Sequence, residues 1–207
     1  MSIRISSRRA LAVCGAGALI AGAAGCGSSS SNGTAGGASG GSAVNPNGPE
    51  VNPAGDIPDN QAYVAYRPPS STYSVKVPEG WARTASGATT TFTDKLNRVA
   101  MQQSVASAPL STAEAKRVTV AALSKTVAGF RLQKVTSVSR QAGPATLIVY
   151  QATSQPDPVT GKTHVDAVER YTFFHKGQRV TLTLSGPKGA DNVDPWKIVT
   201  DSLRYTA

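Results

Sequence analysis

The stretch Tyr73–Trp81, with the sequence Tyr-Ser-Val-Lys-Val-Pro-Glu-Gly-Trp, decides how the folded part of this chain begins. Apolar and polar residues alternate over Tyr73–Val77, and this period of two predicts a strand with one buried face. Pro78–Gly80 should end the strand, because proline and glycine favour a turn. We expect Trp81 to pack under that turn.

Strand patterns continue through the rest of the chain. Ala145–Ala152 is apolar on both faces, which predicts a central strand covered on both sides. Lys176-Gly177 should close a hairpin whose second strand buries one face and leaves the threonine face polar. The predicted strands downstream of Trp81 are Thr89–Phe92, Arg98–Ser104, Leu132–Arg140, Ala145–Ala152, Val165–His175 and Gln178–Ser185.

Two helices complete the prediction. Ser111 opens a capping box with Glu114, and the helix should run to about Ala128 before Gly129 stops it. Its buried face would contain the stem of Lys116 together with Val120, Leu123 and Val127.

The last helix has Asp194 as its expected N-cap and Pro195 at its first helical position. Trp196, Val199 and Leu203 would form its buried stripe. Strands, one long helix, more strands and a closing helix predict an α+β domain: a mostly antiparallel sheet with packed helices.

The stretch Tyr73–Trp81 resembles the opening of the PsbP-like α/β/α sandwich, and the strand Leu182–Pro187 followed by a helix containing Ser202-Leu203 fits the same layout. The chain is also similar to the LpqN-like lipoproteins of actinobacteria. This resemblance covers about residues 63–205. It implies an accessory, partner-binding module rather than an enzyme, and it transfers no ligand residue.

The amino terminus resembles a bacterial lipoprotein signal peptide. Three arginines precede the apolar run Leu11–Gly25, which ends in Ala23-Ala24-Gly25 before Cys26. The run is too short to span a membrane and suits a cleaved export signal. The resemblance implies that Cys26 carries lipid. Ser7–Leu11 also resembles a twin-arginine start, so the twin-arginine and general secretory routes both stay open.

Composition divides the chain into three parts: the signal peptide 1–25, a lipidated Cys26 with a flexible tether over 26–61, and a folded domain over 62–207. The tether is rich in Gly, Ser, Asn and Pro and has too few large apolar residues to fold. The domain holds 18 Lys and Arg against 9 Asp and Glu. Because the predicted address lies outside the cytoplasm and basic residues do not alternate with aromatic ones, we expect no nucleic-acid partner.

No catalytic, cofactor or metal residue is predicted. His164 and His175 fall too far apart along one strand to share a metal, and each is expected to be a solvated strand-end side chain. Asp166 and Glu169 should lie on opposite faces of the strand, which excludes an obvious carboxylate pair. The serines lack a nucleophile elbow, and Cys26 is the only cysteine left after cleavage.

Three weaker patterns have structural explanations. Asp191–Asp194 has too few oxygens for calcium and suits helix capping. Trp81 and Trp196 are expected in turn or core packing rather than on a binding surface. Arg131, Lys134 and Arg140 form no basic stripe on a regular strand, because the first two are an odd number of residues apart.

These observations predict a non-enzymatic lipoprotein, anchored in the cell membrane on its extracytoplasmic face. The expected partner is a protein of the envelope, such as a transporter component. One alternative is a small-molecule or lipid-binding protein with a cleft between sheet and helices. A less favoured alternative is a cell-wall hydrolase acting through Asp166, Glu169 or His175.

Overall fold

The computed structural model describes residues 54–157 and 159–206. Cys26, the signal peptide and most of the predicted tether lie outside this part. The strands are β1 (Tyr63–Tyr66), β2 (Tyr73–Pro78), β3 (Ala82–Ser86), β4 (Thr89–Asp94), β5 (Asn97–Val105), β6 (Arg131–Arg140), β7 (Gly143–Thr153), β8 (Val165–His175), β9 (Gln178–Pro187) and β10 (Arg204–Tyr205).

Seven of the strands form an antiparallel sheet in the order β3-β4-β5-β9-β8-β7-β6. A smaller antiparallel sheet has the order β1-β2-β10. β9 joins the two halves of the large sheet, because it pairs with β5 on one side and β8 on the other, with Met101 of β5 opposite Leu182 of β9. The fold is therefore α+β with a mostly antiparallel sheet, as the sequence predicted.

A long helix covers part of one face of the large sheet. It consists of α1 (Thr112–Glu114), a π-helical segment (Ala115–Val120) and α2 (Ala121–Thr126). The Ser111 side chain accepts a hydrogen bond from the Glu114 N–H (3.1 Å), which confirms one half of the predicted capping box. The Glu114 carboxylate instead accepts from Arg179 Nη1 (3.0 Å). The wide π turns put buried Ala115 five residues before Val120 in the same apolar cluster. Lys116 was wrongly predicted on this face and is exposed.

The opposite face carries the main core. β2 contributes Tyr73, Val75 and Val77, as its alternation predicted. The helix α3 (Val193–Asp201) adds the predicted Trp196 and Val199, and Leu203 follows just after it. Trp81 packs against this core and is half-buried. The large sheet is thus partly covered by the long helix on one face, and by α3 and the small sheet on the other.

The amino-terminal limit of the domain differs from the prediction. Ile57 is only 4% exposed and belongs to the main core, although composition assigned it to the tether. Asn192 explains this, because its side chain accepts from the Ile57 N–H (2.9 Å) and donates to the Gly55 carbonyl (3.0 Å). The folded part therefore begins before residue 62.

The same asparagine corrects the start of the last helix. The N-cap position is Asn192 rather than Asp194, and its side chain bonds to other segments instead of capping the helix. The prediction for β7 holds for burial, since both of its faces are covered. It was wrong for position, because β7 is next to the edge strand β6 and β9 is in the centre.

Candidate functional site

A cleft of about 640 Å³ lies on the sheet face that the long helix leaves open. The helix packs over β6, β7 and the near side of β8, so β9, β5 and β4 form an uncovered floor. The end of α2 and the next residues, Thr126–Ala128, form one wall. The segment from Thr153 to Asp157, with His164, forms the rim.

Hydroxyl groups cover the middle of the floor. Thr181, Thr183 and Ser185 lie on this face of β9 because their partners in the alternation, including Leu182 and Leu184, face the main core. The sequence predicted the alternation, but not that the polar face would be enclosed. Thr181 is in fact buried, which is unusual for a polar strand face.

Arg170 of β8 brings a partly buried cation to this floor. Its Nη1 donates to Thr183 Oγ1 (3.0 Å), whereas its Nε is buried and has no hydrogen-bond partner among the described residues. Burial lowers the pKa of Arg170. No carboxylate of the described chain lies within 4.0 Å of its guanidinium. Tyr150 is nearby, and burial raises the pKa of its phenol while the charge of Arg170 opposes that rise.

His164 and Asp166 form the second polar feature, at the rim. His164 Nε2 lies 2.9 Å from Asp166 Oδ1, and neither atom has another partner among the described residues. Burial raises the pKa of Asp166, and the charges of His164 and Arg98 oppose that rise. On its other side the imidazole Nδ1 lies 3.1 Å from Ser154 Oγ.

The Ser154 hydroxyl is held by the backbone. It accepts from the His164 N–H (3.0 Å) and lies 3.0 Å from the Gln155 carbonyl as a donor. A serine nucleophile needs a hydroxyl free to approach a substrate, with the histidine available as its base. The row Ser154–His164–Asp166 therefore suits a rigid rim better than a nucleophilic site.

The two histidines lie far apart, and neither is fully exposed to solvent. His164 precedes β8 and His175 ends it, at opposite ends as predicted. Both are half-buried rather than solvated, since His164 contacts Asp166 and His175 stacks on Tyr205 at 4.2 Å. Glu169 faces away from Asp166 and accepts from the Tyr171 hydroxyl (2.7 Å), so the two acids do lie on opposite faces.

Arg131, Lys134 and Arg140 of β6 were wrongly predicted to lie on different faces of the strand. A bulge between Leu132 and Lys134 shifts the register, so that Arg131 pairs with Gln151 and Lys134 with Val149. These pairs place both side chains on the face that Arg140 also occupies. Arg140 is separately engaged, because its Nε donates to Thr200 Oγ1 (3.0 Å) and its guanidinium lies over the Tyr171 ring.

Sequence reasoning missed Arg170 and the His164–Asp166 contact. Alternation in β8 could have placed Arg170 on the face of Val168 and Thr172, opposite Glu169. Nothing local shows that the helix stops short of β9 and leaves that arginine in a cleft. Within the described residues no three His, Cys, Asp or Glu side chains come together as a metal site would require.

No protein-family model and no curated protein matches this chain. Solved structures similar to it include the cyanobacterial PsbP (CyanoP) of Synechocystis sp. PCC 6803, at 17% identity and a TM-score of 0.48, covering 70% of this chain and 93% of that one. LpqN of Mycobacterium tuberculosis, described as involved in cell envelope biogenesis, has 14% identity and a TM-score of 0.43, with 71% and 91% covered.

A protein of Bacteroides thetaiotaomicron is similar at 12% identity and a TM-score of 0.44, over 69% of this chain. The match spans only 48% of that protein's length. The α+β assignment rests on the strand order and layers described above, and similarity at this level assigns no family.

Proposed function

We propose that this chain is a lipid-anchored extracytoplasmic protein that binds a small molecule in the cleft and catalyses no reaction. The observation that carries the proposal is the 640 Å³ cleft itself. Its size is that of a small-molecule site, and its lining combines apolar side chains with many polar and charged ones. Tyr150, Ala152 and Val168 supply the apolar part, and Arg170 with the β9 hydroxyls supplies the polar part.

The proposed address depends on the sequence. Cys26 would carry the lipid, two or more acyl chains would hold the protein in the membrane, and the domain would lie on the extracytoplasmic face. In the described part of the chain, no helix is both long enough and apolar enough to cross a bilayer.

The absence of enzymatic activity is also a proposal. It is supported by Ser154, whose hydroxyl is held by backbone groups, and by the separation of Asp166 from Glu169 on opposite faces. We therefore expect the unaltered protein to hydrolyse no wall polymer, and Asp166→Ala and His164→Ala to behave in the same way.

Native mass spectrometry tests the binding function directly. Protein purified from its own membranes should carry a bound mass, and Ala100→Phe, which fills the floor of the cleft, should remove it. Ala85→Phe is the matched control, because Ala85 is exposed on β3 outside the cleft. A ligand-free mass for the unaltered protein, or the same bound mass in Ala100→Phe, would contradict the proposal.

A protein partner in the envelope is the second candidate. It is favoured by β3, an edge strand whose five residues are all exposed, so that its outer backbone groups could pair with another chain. Crosslinking in membranes followed by purification should recover one specific partner, and Thr84→Pro should weaken that recovery. Equal recovery with and without the proline would argue against this edge.

A further inference from the structure

We propose that Arg170 is an anion-binding residue, and that the ligand of the cleft carries a carboxylate or phosphate group on an apolar body. This inference rests on the proposed binding function and names the ligand class. It is drawn from the unmatched charge of Arg170, the hydroxyls beside it and the apolar wall next to both.

Arg170 is a cation with no carboxylate within 4.0 Å among residues 54–157 and 159–206. Guanidinium has five N–H donors, yet the described residues give it one hydrogen bond, to Thr183 Oγ1 at 3.0 Å. The Nε is buried without a partner. Buried charges in proteins are normally paired, because removing them from water is costly. An oxyanion in the cleft would supply both the missing charge and the missing acceptor atoms.

The nearest carboxylate on the same strand face cannot take that role. Asp166 is four residues from Arg170, which places it about 13 Å away along the strand. It is also engaged with His164 and feels the charge of Arg98 at the rim. Glu169, the immediate neighbour of Arg170, lies on the opposite face with Tyr171.

Thr183 adds a second donor for the same anion. Its oxygen accepts from Arg170, so its own hydroxyl hydrogen remains available to donate. Ser185 follows two residues later on the same face and also lines the cleft. A guanidinium beside hydroxyl donors is the chemistry with which proteins bind carboxylates and phosphates.

The neighbouring wall sets the rest of the ligand. Val168 is two residues from Arg170 on the same face of β8, and Tyr150 and Ala152 lie beside it on β7. Val127 closes this side from the helix. An apolar group attached to the anion would bury surface here, which a neutral sugar or a free cation would not.

Calorimetric titration of the full chain carrying Cys26→Ser tests the ligand class. The probes are octyl phosphate, sodium octanoate, inorganic phosphate, and neutral 1-octanol. We expect the octyl anions to bind at least tenfold more tightly than 1-octanol, and Arg170→Gln to remove that preference. Arg83→Gln is the control, because Arg83 is exposed on β3 outside the cleft.

A measurement on the unaltered side chain covers the case in which Arg170→Gln fails to fold. Octyl phosphate should protect Arg170 from modification by phenylglyoxal and leave Arg83 unprotected, as read by peptide mass spectrometry. Inorganic phosphate that binds as tightly as octyl phosphate would indicate a small free anion, and weaker binding a lipid-like one. The first pattern would overturn the apolar body of the proposed ligand, and the second would support it.

Other results would overturn the proposal. Equal binding of 1-octanol and octanoate would refute the anionic class while leaving the binding function standing. Anion binding that survives in Arg170→Gln and is lost in Arg98→Gln would move the site to the rim. If no probe binds and the protein from its own membranes is ligand-free, the binding function itself fails.

Discussion

Asn192 gives the sharpest test of how the amino-terminal segment is held. Its side chain is buried and makes three hydrogen bonds, accepting from the Ile57 N–H (2.9 Å) and donating to the Gly55 carbonyl and Asn97 Oδ1 (3.0 Å each). Asn192→Ala removes all three. Asn60→Ala is the matched control, because Asn60 is exposed on the same segment.

The expected loss follows from these contacts. A buried hydrogen bond contributes about 1 kcal/mol net, so three contribute about 3 kcal/mol. The Gly55 carbonyl keeps one bond, from Asn97 Nδ2 at 2.8 Å, which lowers the loss. The Ile57 N–H is left buried and unpaired, which raises it. We therefore expect Asn192→Ala to lower the free energy of unfolding by about 2–4 kcal/mol.

Urea unfolding followed by circular dichroism measures this value by linear extrapolation. Asn97→Ala and the double variant complete a mutant cycle, and their losses should not add, because the two side chains share a bond and the Gly55 carbonyl. A loss below about 0.5 kcal/mol for Asn192→Ala, with an unchanged m-value, would refute this account of the cluster.

Three further predictions concern the cleft, the core and the anchor. Since burial raises the pKa of Asp166, the folded state binds the carboxyl proton more tightly than the unfolded state, and stability should fall as pH rises from about 3.9 through the raised pKa. Urea midpoints measured between about pH 3 and 6 should show this fall, and Asp166→Asn should remove it. An unchanged slope in Asp166→Asn would contradict the prediction. Phe173→Ala should cost about 3–5 kcal/mol because Phe173 is fully buried, whereas Val105→Ala, at an 83% exposed position, should stay within about 0.5 kcal/mol by the same assay. Cys26→Ser should release the protein from membranes in fractionation, and retention would point to another anchor.

Patterns repeated over several residues were predicted well. The β8–β9 hairpin follows from alternation on both sides of Lys176-Gly177, and the structure places its turn there. The Ser111 cap and the buried stripe of α3 depend on neighbours three or four residues apart, so the local sequence contains the whole signal. These elements account for the correct α+β class.

Features that depend on distant partners were missed. β3 has no buried face and therefore no alternation to detect. The Asn192 side chain does not cap its helix, because it is bonded to Gly55 and Ile57, more than 130 residues away in the sequence. The cleft is also invisible in the sequence, since it exists only because the long helix stops before β9.

The way in which Gly55 and Ile57 are held determines how the domain would respond to mechanical force. Any pull on the preceding chain would first load the bonds to Asn97 and Asn192, at the starts of β5 and α3. Asn97 also borders the cleft, and the next residue, Arg98, pairs with Ser185 on its floor. If the chain before Gly55 is anchored, a pulling force would therefore pass through Asn97 directly to the residues that line the cleft.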